Sequence, residues 1–450
     1  MLRVWKVPGA RAVQLSTYSR VVRKLIWGGI LSAAIGLSSD PLSAESLLVI
    51  EADTGKVLFA QNAGYPWYPA SVTKLMTAYV TLRAVKEGRL TLDQPLTVSA
   101  NAVAKSPVKM GFGVGTQVTV DNALKMLMVK SANDIAVVLA EGVGGSIESF
   151  ADQMNWNARR LGMTQSSFVN PNGLPADDQI SSARDLAILA RALIRDFPEY
   201  DYYWHLPGIR MGKKVQRNYN TLLGRYPGAD GMKTGFICAS GFNLVASATR
   251  DGRRLIAVVL GAPSSAVRAL KAAQLLERGF NTSTGGLTWL MPSLGTVDML
   301  QPINAAPPNL REQMCGAHRK RPATEDEDEI MPADTGPDSP YGVFLASLQP
   351  AKSKGTLLQE SNLGEPVLVY TGTKPPGPGS ASAEPKPKKK AAAAAKPAKE
   401  KDTDSSGVAA SPTGENAAPK KPKTKKAAAK PTVITPAAGG QTSEQTSHVR

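Results

Sequence analysis

Histidine and cysteine are scarce in this chain, and their scarcity removes many catalytic chemistries at once. Three histidines (His205, His318, His448) and two cysteines (Cys238, Cys315) occur in 450 residues. No Cys/His cluster has the spacing of a zinc site, so no metal is expected. A Ser-His-Asp hydrolase would have to use His205, which sits among Tyr202, Tyr203 and Trp204 and reads as packed structure. No G-x-S-x-G elbow precedes a usable histidine. There is no G-x-x-x-x-G-K-[ST] loop, and GFGVG at residues 111–115 lacks dinucleotide-binding spacing. Metal, nucleotide and dinucleotide enzymes are set aside, and no cofactor is expected.

Long apolar runs are also missing. LIWGGILSAAIGL at residues 25–37 is thirteen residues long, short of the roughly 20 that span a bilayer. Arg20, Arg23 and Lys24 precede it, and Leu42-Ser43-Ala44 follows a helix-breaking stretch. A charged start, a short apolar core and a small residue predict a secretory signal peptide over residues 1–44, cut after Ala44. The mature chain is then exported to the periplasm or envelope of a bacterium. There an even pair of cysteines favours a disulfide, Cys238 with Cys315.

What is abundant is positive charge, and it is unevenly placed. The chain has 53 Lys+Arg against 37 Asp+Glu, a net charge of +16. Residues 374–450 alone hold 15 Lys/Arg and 6 Asp/Glu, in blocks such as PKPKKKAAAAAKPAKEK. That Lys/Ala/Pro-rich tail has little to bury and reads as disordered. It suits an anionic membrane surface or wall polymer. Nucleic acid is set aside as a partner outside the cytoplasm.

Residues 45–282 carry the pattern of a dense α/β unit. Two apolar runs, residues 46–51 and 56–61, flank Asp53-Thr54-Gly55, a hairpin signal. KLMTAYVTLRAV after Pro69 is helical in period. Asp121 is placed to cap a second helix, a third follows Asn133, and Ser182 with Asp185 forms a capping-box pattern. Strand-like residues 242–248 and 255–261 are joined through Asp251-Gly252, and helical AVRALKAAQLLERGF closes the unit. Hairpins at both ends with helices between predict an antiparallel sheet with helices on its faces. Residues 283–373 show scattered apolar pieces and an acidic run at residues 325–329, with no evident domain.

Three short elements in order carry the chemistry: Ser71-Val72-Thr73-Lys74, Ser131-Ala132-Asn133 and Lys233-Thr234-Gly235. Two decoys, Ser106 with Lys109 and Ser99 with Asn101, repeat the spacings but not the context. Ser71 stands where a helix begins, so Lys74 returns to its face one turn later. A lysine can activate a serine hydroxyl if its amine is neutral, which burial or a second cation such as Lys233 would bring about. The Ser71 N–H at the helix start and a strand N–H at Phe236 can form an oxyanion hole. Ser131 can relay protons, Asn133 can hold an amide, and Lys233 with Thr234 can bind a carboxylate.

This ordered set closely resembles the signature of the serine D-alanyl-D-alanine carboxypeptidases, the type-5-like low-molecular-mass penicillin-binding proteins. PASVTKLMTAY, KSANDIAVVLAE, NPNGLP and DGMKTGFICASGFNLVASATRDGRRLIAVVLGA all share in the likeness. It implies the penicillin-recognising fold, an α/β class with an antiparallel sheet flanked by helices plus an all-α lobe. It also implies Ser71 as the acylated nucleophile, Lys74 as its base, and Arg268 as a further holder of the substrate carboxylate. Phe236 stands where some relatives have histidine. The expected partners are peptidoglycan stem peptides, with β-lactams as covalent inhibitors. The rivals are a DD-endopeptidase or a β-lactamase on the same fold, or a wall-binding protein without turnover. None of Glu141, Glu148 and Glu199 lies in the E-x-x-L-N setting of a deacylating glutamate. A chain ending near residue 285 is expected to fold without the rest.

Overall fold

The computed structural model describes residues 45–282, 294–319, 325, 357–358 and 362–375. The predicted signal peptide and nearly all of the basic tail lie outside them.

The chain opens with the expected hairpin, β1 (Ser46–Glu51) and β2 (Val57–Gln61), paired antiparallel. Helix α1 (Lys74–Lys86) follows, then β3 (Pro95–Thr97), α2 (Ala100–Ala104) and β4 (Gln117–Thr119). Next come α3 (Val120–Val129), α4 (Asn133–Gly144), α5 (Ile147–Leu161), α6 (Ala183–Asp196) and the short α7 (Tyr202–His205). After a hairpin of β5 (Gly208–Met211) and β6 (Lys214–Arg217), three long strands return: β7 (Ala229–Ile237), β8 (Gly241–Arg250) and β9 (Arg253–Ala262). Helix α8 (Ser265–Asn281) closes the predicted unit, with α9 (Arg311–Cys315) and β10 (Val367–Leu368) beyond it.

The five long-range strands form one antiparallel sheet in the order β2-β1-β9-β8-β7. The β8–β9 turn has positive φ at both Asp251 and Gly252, as a tight two-residue hairpin requires. Burial runs almost unbroken along β8 and β9, so both sheet faces are covered. Helices α6 and α8 are the ones in contact with these strands.

Helix α1 forms the axis of the second lobe, in contact with α3, α4, α5 and α6. Leu75, Met76, Tyr79, Val80 and Leu82 are all buried along it. This lobe is not all-α, since it also holds the small antiparallel pair β3–β4. Capping chemistry differs at one helix. Thr119, not Asp121, caps α3 through the Asn122 N–H. Asp121 instead lies in the first turn, bridging Lys125 at 2.6 Å and accepting from the Tyr202 and Tyr203 hydroxyls. Ser182 does accept from the Asp185 N–H, but the Asp185 carboxylate turns to Ser166, Gln165 and Arg184.

The extension is a strap applied to the sheet, not a domain. Val57 N–H donates to Gly295, Ile303 N–H to Gly64, and Leu310 N–H to Ala239. Val297, Leu310 and Met314 bury their side chains in the main core. Farther on, β10 pairs parallel with β5. Cys315 is disulfide-bonded to Cys238 at the end of β7, with a Cα–Cα distance of 5.7 Å and a sequence separation of 77. A chain cut near residue 285 would lose these core residues and the disulfide partner Cys315. Cross-linking a loop of that length contributes about 4 kcal/mol in the chain-entropy model. Urea unfolding of Cys238→Ser/Cys315→Ser against the oxidised protein is expected to show a loss of that order, and unchanged midpoints would contradict it.

Candidate active site

Ser71 stands in a 3-10 turn, Ala70–Thr73, from which α1 continues at Lys74. The sequence pattern suggested an α-helix start; the tighter turn still puts residues three apart on one side. Lys74 Nζ lies 2.9 Å from Ser71 Oγ. The same nitrogen lies 2.8 Å from Asn133 Oδ1 and 2.7 Å from the Asn172 carbonyl oxygen. Lys74 is fully buried. Burial first, and the Lys233 charge second, drive its amine well below the usual lysine range against the opposing pull of Glu325 and Asp134. A neutral amine has two N–H bonds and one lone pair. In the neutral form, two carbonyl oxygens would take the N–H bonds and the lone pair would face the Ser71 hydroxyl.

Two turns hold these groups. In the NPNG segment, Asn170 Oδ1 accepts from the Gly173 N–H at 2.7 Å and Asn172 Oδ1 from the Leu174 N–H at 3.1 Å. Such Asn-built turns fix a backbone without secondary structure, and this one aims the Asn172 carbonyl at Lys74. Gly173 has φ +78°, and a Cβ there would overlap the Ala70 carbonyl. Ala70 and Ser131 also have positive φ, 50° and 60°. These are left-handed conformations that cost non-glycine residues energy and cluster at functional sites.

Strand β7, at the sheet edge, passes directly beside Ser71. A Cβ on Gly235 would fall 2.8 Å from both the Ser71 and Val72 nitrogens, so only glycine lets the strand come this close. Opposite Gly235 in the ladder stands Asn243. It donates to the Tyr68 carbonyl at 2.9 Å and accepts from the Gly261 N–H at 3.1 Å, clamping the Ser71 loop to the sheet. Neither Asn172 nor Asn243 stood out as a site residue in the sequence. Asn172 acts through its main chain, which leaves no side-chain signature. Asn243 was detectable as an amide within the apolar strand FNLVASA.

Lys233 and Thr234 are buried on β7, with Lys233 Nζ donating to the Thr234 carbonyl at 3.0 Å. Burial and the nearby Arg268 push Lys233 down to about 8, opposed by Glu325. Phe236 follows on the same strand, its ring 4.4 Å from that of Phe242. Arg268, on α8, is 1% exposed, and its Nη1 reaches the Asn243 carbonyl at 3.3 Å and Glu325 Oε1 at 3.0 Å. Asn133 Oδ1 is engaged with Lys74, and its Nδ2 lies 3.4 Å from the Ser106 carbonyl. Ser131 Oγ and Thr234 Oγ1 are buried with no hydrogen-bond partner among the described residues. Buried hydroxyls without partners are costly and mark places where a ligand completes the bonding.

The decoy side chains make other contacts, although the Ser106 carbonyl meets Asn133 Nδ2. Ser99 caps α2, Lys109 Nζ reaches the Val103 carbonyl, and half-exposed His205 pairs with Asp201 at 2.9 Å. Glu141 accepts from Asn101, and Asp134 accepts from the Met110, Gly111 and Ile135 N–H groups. No group of three or more His, Cys, Asp or Glu side chains fit to hold a metal occurs among the described residues.

Comparison with known proteins follows this geometry. A family model described as D-alanyl-D-alanine carboxypeptidase matches residues 34–264. The chain is 38% identical over 283 residues to D-alanyl-D-alanine carboxypeptidase DacC of Escherichia coli, covering 59% of this chain and 70% of that one. It is 36% identical over 250 residues to DacA of Haemophilus influenzae, covering 54% and 64%. The chain thus spans about two thirds of the length of these relatives. Penicillin binding protein 5 from Haemophilus influenzae superposes with a TM-score of 0.51 at 35% identity, over 54% of this chain and 73% of that one.

The two depressed lysines have opposite effects on reactivity. Acylation of Ser71 by a carboxylate-bearing reagent should rise with pH as Lys74 loses its proton. It should fall again above about 8, where Lys233 loses its charge. Lys233→Arg keeps a charge at all accessible pH and is expected to remove the upper limb in stopped-flow acylation. An upper limb that persists in Lys233→Arg would contradict the assignment.

Proposed function

The chain belongs to the D-alanyl-D-alanine carboxypeptidase family, and from that membership and the cleft geometry we infer that it is a serine peptidase acting on peptidoglycan stem peptides. It removes the terminal D-alanine from a peptide ending in D-Ala-D-Ala. One observation carries this reading above the others: a fully buried Lys74 nitrogen 2.9 Å from Ser71 Oγ, held on its other sides by Asn133 Oδ1 and the Asn172 carbonyl.

Ser71 Oγ attacks the carbonyl carbon of the penultimate D-alanine while its proton passes to Lys74 Nζ. The oxyanion takes hydrogen bonds from the N–H groups of Ser71 and Phe236, groups that the close Gly235 contact keeps near each other. Ser131 Oγ, buried and unpartnered, carries the proton onward to the departing amine. Lys233 and Thr234 Oγ1 receive the substrate's terminal carboxylate, and Arg268 backs them with its charge. Water then attacks the acyl-Ser71 ester, Lys74 again serving as base, and the shortened peptide leaves.

A penicillin enters by the same route, since it presents a carbonyl and a carboxylate at comparable positions. Its acyl-enzyme is long-lived. Asp134 is committed to three backbone N–H groups, and Glu141 is committed to Asn101. Neither is free to drive fast deacylation, which disfavours the β-lactamase alternative. The predicted signal peptide supports work outside the cytoplasm. The basic tail supports an attachment to anionic membrane or wall polymer, screened by salt.

Labelling with a fluorescent penicillin tests the reading. One long-lived adduct is expected in the native protein and none in Ser71→Ala, with D-alanine release from a pentapeptide lost in parallel. Labelling that survives Ser71→Ala would overturn it.

A further inference from the structure

The acidic run after the catalytic unit was left without a task by the function just described, yet its first member reaches the site. Glu325 Oε1 lies 3.0 Å from Arg268 Nη1, with side-chain exposures of 14% and 1%. Glu325 also acts on both site lysines, opposing the depression of Lys74 and of Lys233. A single carboxylate is therefore felt by Lys74, Lys233 and Arg268 together.

The last described residues of the strap before Glu325 lie near the start of α8. Cys315 is bonded to Cys238, immediately past β7. Leu310 donates to Ala239, and Met314 is buried against the core. Arg319 Nη1 then reaches the Pro263 carbonyl at 3.3 Å, just ahead of α8, the helix that carries Arg268. Glu325 follows six positions later in the chain. A tether of this kind raises the local concentration of the carboxylate far above that of a free peptide.

We propose that Glu325 is an internal competitor for the carboxylate end of the substrate: the strap after the catalytic unit seats its carboxylate on Arg268, beside Lys233, and substrate must displace it. The inference rests on the carboxypeptidase reading, in which these cations receive the substrate carboxylate. The contact is one monodentate pair at a partly exposed carboxylate, strong enough to hold the site in part and weak enough to yield. A ligand that meets an occupied site binds with an affinity reduced by the fraction that is free. Thr234 Oγ1 and Ser131 Oγ remain unpartnered with Glu325 in place. Glu325 therefore meets only the Arg268 end of the carboxylate subsite and leaves Thr234 Oγ1 and Ser131 Oγ unsatisfied.

Stopped-flow acylation of full-length oxidised protein by a fluorescent penicillin that carries a free carboxylate separates the outcomes. Glu325→Gln is expected to raise the second-order acylation rate constant about three- to tenfold, through tighter initial binding and with the limiting rate unchanged. Glu325→Asp, which keeps the charge, should stay near the native protein. A Glu325→Gln protein that acylates at the native rate or slower overturns the proposal, as would a gain confined to the limiting rate. Absence of acylation in the native protein as well overturns the carboxypeptidase reading itself and this inference with it, so the two failures are told apart.

Discussion

A lysine amine sealed from water, with two carbonyl oxygens and one hydroxyl around it, is the constraint on which the catalytic region is built. Burial makes the charged form expensive, and the neighbouring Lys233 adds a like charge that opposes it further. The surroundings then decide where the lone pair points. Asn133 Oδ1 and the Asn172 carbonyl claim the two N–H bonds because they come from separate elements, the start of α4 and the NPNG turn, that converge on α1. Removing either would leave the nitrogen free to rotate away from Ser71. Much of the helical lobe serves this convergence. Helix α1 is enclosed by α3, α4, α5 and α6, and Lys74 at its start is fully buried.

The sheet supplies the other half. Its edge strand β7 can lie against the nucleophile only because Gly235 has no side chain, and Asn243 ties the Ser71 loop back to the same sheet. The disulfide pins the far end of that strand to the strap. The proposed nucleophile, base and carboxylate-binding cations thus come from three parts of the chain, held by packing and backbone contacts. The strained residues Ala70 and Ser131 sit at these joints, where the surrounding structure over-determines their conformations.

The sheet was largely legible in the sequence because its signals are local. Alternating and continuous apolar runs bounded by Asp-Thr-Gly and Asp-Gly mark four of its strands, and all lie within a residue or two of the observed bounds. Ser71, Lys74, Ser131 and Lys233 were legible as a set through their order, where any one spacing was matched by a decoy. What was not legible acts through backbone or through distance. The Asn172 carbonyl carries no residue-type signal, and Thr119 is the cap because the helix begins at Val120, which leaves Asp121 inside its first turn. The contact of Asn133 Oδ1 with Lys74 was not legible, because nothing local reveals that pairing. The strap showed no evident domain in the sequence because its few apolar residues, Val297, Leu310 and Met314, complete a core that belongs to the sheet. Glu325 was visible only as the start of an acidic run, since its partner Arg268 lies 57 positions away.

The central claim is that Lys74 is a neutral amine in the resting protein. A heteronuclear NMR titration of selectively labelled lysine side chains, with the Lys74 signal assigned by comparison with Lys74→Arg, tests it directly. The account predicts that at neutral pH the Lys74 nitrogen shows the shift of an uncharged amine and gains its proton only on acidification. A Lys74 signal that stays that of an ammonium until the strongly alkaline range of ordinary lysines would contradict it.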